Sequence, residues 1–393
     1  MNASDVAEEF AERHRRIRER MAAEELDAVI AYSNPKVQGC VQYIANYAVR
    51  FVAANTLPSG EYTMAGSCAA LFPADGDGTV LAVDQRWDEL RAKETSVLAE
   101  THFSESFGAE FGRLAAERGY RRVGIDNWFI FPAPHYLALR ELAPDTDFVG
   151  TQLIEHTYKV KTQAELALVR RAEEIGVLAL EAAFEAVRIG ASEFEVALAA
   201  DYAMRKHGDL EVAGGLVAAA GKNTAIGSGI PRASDAYVMQ RGDWIMLDIC
   251  PRYQGYAGDI CRMFVAGDVE DVDEFRQYLY RATVTIVEEV IKAVKPGVVP
   301  RALNDLAQSV ADDLGVGQYK TTTLGHGLGI DLHDVPDFRW DPWPLEPGTC
   351  ITIEPCLIVP GVTGTRVEEL VAVTETGCDV LSAGAPTALR GSN

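Results

Sequence analysis

From Phe10 to Leu26 apolar residues recur three and four positions apart, a spacing that predicts a first helix. Ala28–Ala31 is a short apolar run of buried-strand type, and the Tyr-, Asn-, Gly- and Pro-rich stretch from Tyr32 to Thr63 reads as loop. Cys68–Phe72 and Thr79–Val83, separated by turn residues, predict sheet. Trp87–Thr95 predicts a helix, Val123–Ile125 a strand and Tyr136–Leu142 a further helix. Strands alternating with helices predict an α/β domain, ending in a mixed polar joint over Val149–Lys161. Beyond the joint, Thr162 followed by Glu165 is a capping-box signal for a helix reaching Ile189, and Ser192 with Glu195 opens a second one to Lys206. Leu216–Ala220 predicts a strand. Asp273–Val294 predicts a long helix stopped by Pro296 and Gly297, Arg301–Leu314 another helix, and Thr349–Leu381 strands and tight turns. The pattern divides the chain into two domains, 1–155 and 161–393, of α/β (α+β) class.

The most informative stretch is Asp243–Arg262. Trp244–Ile249 is an apolar strand, Pro251–Gly255 is turn chemistry, and Tyr256–Phe264 predicts a returning strand, so the two form a hairpin. Each arm carries one carboxylate in apolar company, Asp248 and Asp259. A carboxylate in a strand core is costly unless a cation or hydrogen bonds compensate it, and two facing ones repel. Two readings stay open on these residues alone: a divalent metal between them, or one Asp capping a turn and the other in a salt bridge.

A chain of 393 residues with 48% hydrophobic content has room for two packed domains. The formal net charge of -22 argues against nucleic acid and anionic membrane surfaces as partners. Seven cysteines, without CxxC or zinc-ribbon spacing, are expected to be reduced thiols in a cytoplasmic protein. No apolar run has the length of a membrane span, and the charged N-terminus lacks the apolar region of a signal peptide.

Further candidates lie downstream. Gly325-His326-Gly327-Leu328-Gly329 lets backbone approach closely around an imidazole, and His333 follows in the same glycine-rich segment. Glu354 ends a run of β-branched residues. Glu368 and Glu369 take opposite faces of a strand, so one of them faces inward, and Arg366 shares the face of Glu368. Two Asp, one His and two Glu make an oxygen-rich donor set with a single nitrogen, suited to hard or borderline cations such as Mn²⁺, Co²⁺, Fe²⁺ or Zn²⁺.

With these motifs in this order, the sequence resembles the creatinase/prolidase/methionine-aminopeptidase family of pita-bread metallohydrolases over nearly its whole length. The resemblance implies a creatinase-type N-terminal α/β domain followed by a pita-bread catalytic domain. It also implies two divalent metal ions: Asp248 on one, Asp259 and Glu368 bridging both, His326 and Glu354 on the second. His333 matches the histidine that contacts the substrate, and Glu354 would manage the proton of a metal-bridged hydroxide that attacks an amide carbonyl.

The sequence departs from the family pattern at several positions. Glu369 stands where Asp is usual, Asp334 where Glu is usual after His333, Cys250 where Gly is usual and Cys261 where Thr is usual. The two thiols read as small core fillers or, alternatively, as soft metal ligands. Peptidases of the family carry a further histidine in the loop matching Gly221–Pro231. Ser228 stands at that position, and the chain has no histidine between His207 and His326. His207, at a helix end, reads as a solvated cation.

The implied activity is therefore Xaa-Pro peptidase-like hydrolysis of a short peptide. The alternative is a specialised member acting on a small molecule, as creatinase, ectoine hydrolase or a sulfoniopropionate lyase does. A non-enzymatic binding role is disfavoured by the full ligand set. Arg339, Trp340 and Arg366 are the substrate-binding candidates, with packing or a dimer surface as the other reading of Trp340 and Trp343. The resemblance further implies a homodimer in which the Tyr32–Tyr62 segment, with Tyr43, Asn46, Tyr47 and Arg50, reaches a partner's pocket.

Overall fold

A computed structural model of the chain describes residues 3–50, 53–56, 62–226 and 231–392. They form two compact units, Met1–Tyr158 and Lys159–Asn393.

The first unit is built on a six-stranded mixed sheet in the order Glu100–Phe103, Val80–Val83, Cys68–Pro73, Ala28–Ser33, Arg122–Asp126, Asp147–Thr151. Ala28–Ser33 is central and buried along its whole length, pairing antiparallel with Cys68–Pro73 and parallel with Arg122–Asp126. A strand covered on both faces loses the polar alternation of a half-exposed one, so it reads as a continuous apolar run. Phe107, Phe111, Leu139 and Phe148 pack against it as the core.

Two differences from the sequence reading appear here. The Tyr32–Thr63 stretch is not simply loop: it holds the helix Gly39–Ala45 and the strands Ala53–Thr56 and Tyr62–Ala65. In that segment Tyr43 and Tyr47 are core residues. Arg13 lies over the Tyr43 ring at 4.8 Å, and the Tyr47 hydroxyl donates to Asp88. Neither is available to a partner subunit, whereas Asn46 and Arg50 are exposed.

The second unit begins with two capped helices. Thr162 and Glu165 exchange both bonds of a capping box at the start of Gln163–Ala186, and Ser192 and Glu195 do the same for Glu193–His207. A four-stranded sheet orders Arg390–Ser392, Ile260–Ala266, Trp244–Ile249 and Val217–Ala220. A five-stranded sheet orders Asp334–Asp337, His326–Gly327, Cys350–Ile353, Glu369–Val373 and Cys378–Val380. Helices Glu274–Ala293 and Pro300–Asp313 share a core with both sheets through Trp244, Met263, Ile286, Leu303, Ile351 and Val371.

The Asp hairpin differs in detail from its prediction. Its tip is a separate two-residue ribbon, Arg252–Tyr253 against Tyr256–Ala257, and the returning strand resumes only at Ile260. Asp259 therefore sits in the break between ribbon and strand rather than within a strand. Among the described residues every cysteine is free, and no helix is long and apolar enough to cross a membrane.

Candidate metal centre

Five acidic or imidazole side chains converge where the two sheets of the second unit meet. Asp248 lies near the end of Trp244–Ile249, opposite Cys261 on the returning strand. Glu354 follows Cys350–Ile353, and its backbone N–H donates to the Leu324 carbonyl at 2.7 Å. Glu368 immediately precedes Glu369–Val373, and its N–H donates to the Cys261 carbonyl at 3.1 Å, tying the two sheets together at the site. His326 is held between glycines for a steric reason. A Cβ at Gly325 would lie 2.1 Å from the Thr352 carbonyl oxygen, and one at Gly327 2.0 Å from that of Val335.

The distances place these groups in one cluster. His326 Nε2 is 3.3 Å from Glu354 Oε1 and 3.6 Å from Asp259 Oδ2. Three donor groups, Asp248–Cys250–Asp259, Asp259–His326–Glu368 and Asp248–Glu354–Glu368, each have their ligand atoms within 4.8 Å of one another. His326 Nδ1 donates to the Gly327 carbonyl at 2.9 Å, since a carbonyl only accepts. Nε2 is thereby turned toward two carboxylates, which also only accept unless protonated.

The electrostatics are those of a cation site. Burial pushes Asp248 up, with the Arg366 guanidinium opposing it. Burial and neighbouring carboxylates push Asp259 and Glu368 well above the ordinary carboxylate range. Burial alone would depress His326, but Glu354 and Asp259 carry it up to about 9. Glu354 is lowered because its bond to His326 and the nearby Arg366 outweigh its burial. Both oxygens of Glu368 are buried without a hydrogen-bond partner. A carboxylate in that position costs several kcal/mol unless a cation meets it. The donor set and this orphaned carboxylate fit divalent metal ions.

Around the cluster, Arg366 Nη1 lies 2.5 Å from Asp248 Oδ2 and 3.6 Å from Glu354 Oε2. The His333 ring stands edge-on to His326 with centroids 4.2 Å apart. His333 is exposed, yet partial desolvation and His326 keep it below its ordinary value. The sequence places one of Glu368 and Glu369 inward, and in the structure both are buried. The Glu369 carboxylate accepts from Arg262 Nη2 at 2.8 Å and from the Ser382 hydroxyl.

Arg339 and Trp340 are not drawn into the cluster. Arg339 is exposed and donates to Asp337 through Nε at 3.0 Å and Nη2 at 2.6 Å, and Trp340 is 77% exposed. Ser228 lies outside the described residues. A cavity of about 640 Å³ bordered by Arg170, Arg171, Glu174 and Asp379 shares no residue with the cluster.

Sequence reasoning missed Glu173. It is fully buried on the first helix of this unit, and its Oε2 accepts from the Asp259 backbone N–H at 3.0 Å. The signal was present, since Val169, Glu173, Gly176 and Leu180 share one helical stripe.

Two family models match the chain: the creatinase/prolidase N-terminal domain over residues 13–157 and metallopeptidase family M24 over residues 167–375. An Xaa-Pro dipeptidase of Pyrococcus horikoshii is 28% identical over 371 residues, 93% of this chain and 95% of the relative. One of Lactobacillus delbrueckii subsp. lactis is 30% identical over 275 residues, 68% of this chain and 73% of the relative. The crystal structure of the prolidase from Pyrococcus horikoshii superposes with a TM-score of 0.79 at 26% identity, covering 94% of this chain and 98% of that one. An Xaa-Pro dipeptidase from Bacillus anthracis reaches 0.82 at 24% identity, covering 98% of this chain and 100% of that one, a likeness of fold. A creatinase/prolidase N-terminal domain followed by a metallopeptidase domain is thus the organisation of this protein, and the chain belongs to metallopeptidase family M24.

Proposed function

We propose that this protein is an Xaa-Pro dipeptidase-like hydrolase whose centre holds two divalent ions, with Mn²⁺, Co²⁺, Fe²⁺ and Zn²⁺ as candidates. Asp248, Asp259, His326, Glu354 and Glu368 would hold them. The observation that carries the reading is the buried, unpartnered Glu368 carboxylate beside three other acids and an imidazole. The names of the relatives supply the substrate class.

When bound, such ions polarise a carbonyl and lower the pKa of water from about 15.7 to about 7. The chain's own residues do the rest. Glu354, at the edge of the cluster with a side chain 17% exposed, is placed to take a proton from water and return it to the leaving amine. His333, neutral and open to solvent, donates a hydrogen bond to the carbonyl oxygen as charge develops on it. Arg366, already paired with Asp248, would turn part of its guanidinium to a substrate carboxylate.

A panel of Xaa-Pro dipeptides assayed with added Mn²⁺ tests this. Turnover of several, abolished by a chelator and restored by metal, is the expected result. No turnover of any member by well-loaded protein contradicts the peptidase reading.

One observation favours a second reading. The absence of any histidine between His207 and His326 removes a group that in the resembling peptidases handles the leaving-group proton, a contribution of about 10²–10⁴-fold. A specialised member acting on a small non-peptide amide or amidine would then be turned over where the dipeptides are not. A homodimer also belongs to the proposal. Light scattering after size exclusion is expected to give twice the chain mass, and a stable, active monomer contradicts it.

A further inference from the structure

We propose that Cys250 is itself a ligand of the metal centre, its thiolate joining Asp259 to give one side of the site a sulfur donor. The inference rests on reading the cluster as a divalent-metal site.

The three thiols near the cluster are not equivalent. Cys261 and Cys356 belong to the apolar core formed with Trp244, Met263 and Ile353, as small fillers do. Cys250, only 5% exposed, is in neither of the two apolar clusters described for this unit. Its Sγ has polar neighbours instead: Asp259 Oδ1 at 3.3 Å, Asp248 Oδ1 at 3.9 Å and the Gly215 carbonyl oxygen at 3.9 Å. By contrast, the polar neighbour of Cys261 Sγ among the described residues is the Arg366 carbonyl oxygen, at 3.8 Å.

These distances can be compared with those expected of two donors on one ion. Zinc–sulfur bonds of about 2.3 Å and zinc–oxygen bonds of about 2.1 Å, meeting at 90 to 110°, hold the two donors roughly 3.1–3.6 Å apart. The 3.3 Å separation of Cys250 Sγ and Asp259 Oδ1 falls inside that range, and the 3.9 Å to Asp248 Oδ1 lies outside it, so Asp259 is the carboxylate that shares an ion with the sulfur. A second feature points to a cation at the same place. Glu368 is 1% exposed, with both oxygens unpartnered, and it shares donor groups with Asp248 and Asp259.

The chemistry balances without a redox partner. On metal binding the S–H bond breaks, the proton leaves to solvent, and the sulfur lone pair forms the bond to the ion. A thiolate shifts the preference of this side toward Zn²⁺, Co²⁺ or Fe²⁺ and away from Mn²⁺. Carboxylates alone would not supply that bias.

The test is X-ray absorption at the zinc edge on the full chain reconstituted with Zn²⁺, beside Cys250→Ala, Cys250→Ser and the control Cys261→Ser. The expected result is a sulfur scatterer at about 2.3 Å in the wild type and the control, absent from both Cys250 variants. Competition between Zn²⁺ and Mn²⁺, read by elemental analysis, is expected to shift at least about tenfold toward Mn²⁺ in Cys250→Ala. Full zinc occupancy with oxygen and nitrogen scatterers only overturns the inference and leaves the metal-site reading standing. A sulfur scatterer that survives in both Cys250 variants also overturns it. Failure of the wild type to bind zinc at all removes both. The wild-type spectrum needs no variant, so a Cys250 variant that does not fold leaves the inference exposed to refutation.

Discussion

Asp126 in the first unit and Glu368 in the second are both buried carboxylates, and their surroundings are opposite. Asp126 is fully enclosed but receives three donors: Cys40 Sγ at 3.2 Å, the Asn127 N–H at 3.1 Å and the Ile154 N–H at 2.7 Å. Burial still raises it, to about 6, yet it is met on both oxygens. Glu368 is met on neither. The first arrangement ties the end of the strand Arg122–Asp126 to the start of the helix Leu153–Tyr158. The second fits a cation, because the folded chain otherwise holds a buried carboxylate with no hydrogen-bond partner among the described residues.

The largest effect that could break this contrast is on activity. Glu368→Gln is expected to lower kcat/KM on an Xaa-Pro dipeptide by more than about 100-fold, the loss seen for outer-sphere partners of a metal being a lower bound. Asp126→Asn is expected to leave kcat/KM within about twofold, because its partners all lie within the first unit. Comparable losses from both would erase the distinction.

Metal addition comes next. An ion that binds only the folded chain stabilises it by about 2.7 kcal/mol at a hundredfold excess over its Kd. Thermal melts with and without chelator should show this in the wild type and to a smaller extent in Glu368→Gln. An unchanged melt on addition of Mn²⁺ or Zn²⁺ to wild type contradicts a metal-dependent second unit.

The same chemical change should carry opposite signs in the two units when metal is absent. Asp126→Asn forces an amide N–H₂ against backbone or thiol donors, and is expected to cost about 1–3 kcal/mol. In chelator, Glu368→Gln removes a carboxyl whose charged form the fold disfavours. Its folded pKa is raised, so the wild type loses stability as pH climbs above the unfolded value of about 4.5. The variant escapes that loss and should gain about 1–2 kcal/mol near neutral pH. A destabilised metal-free Glu368→Gln would show that the orphaned carboxylate has a partner after all.

The smallest effect is on the pH response of the first unit. Burial lowers His135, packed on Phe107, to about 4. Its contribution is full above about 6.5 and is lost as pH falls toward 4. Asp126, raised, acts with the other sign between about 3.8 and 6, so the two offset in the wild type. His135→Phe removes one side of that balance. Relative to wild type it should gain at most about 2 kcal/mol between pH 7 and pH 5, read from denaturant melts at each pH. A constant difference between the two proteins across that range contradicts the assignment.

The parts of this contrast that were legible in the sequence are local ones. Thr162 with Glu165 announces a helix start because both bonds of the box form within one turn. Asp248 announces itself because it interrupts an apolar strand of five neighbours. Gly325 and Gly327 flank His326 in the chain as they do in space.

What stayed hidden depends on partners far away in the chain. Arg366 lies against Asp248 from 118 positions downstream, and Arg262 meets Glu369 from 107 positions upstream. Strand alternation could not foresee that both Glu368 and Glu369 would be buried, because each of their faces is covered by a different element. The helix Gly39–Ala45 was concealed by its loop-like surroundings, Asn34 and Pro35 before it, Gly39 at its first position and Asn46 after. Its burial on every side comes from tertiary packing rather than from an amphipathic stripe.

Elemental analysis of wild type and Glu368→Ala, each saturated with Mn²⁺ or Zn²⁺ and freed of excess, tests the central claim most directly. The account predicts two ions per wild-type chain and no more than one in the variant. Equal metal content in the two, or none in the wild type, would contradict it.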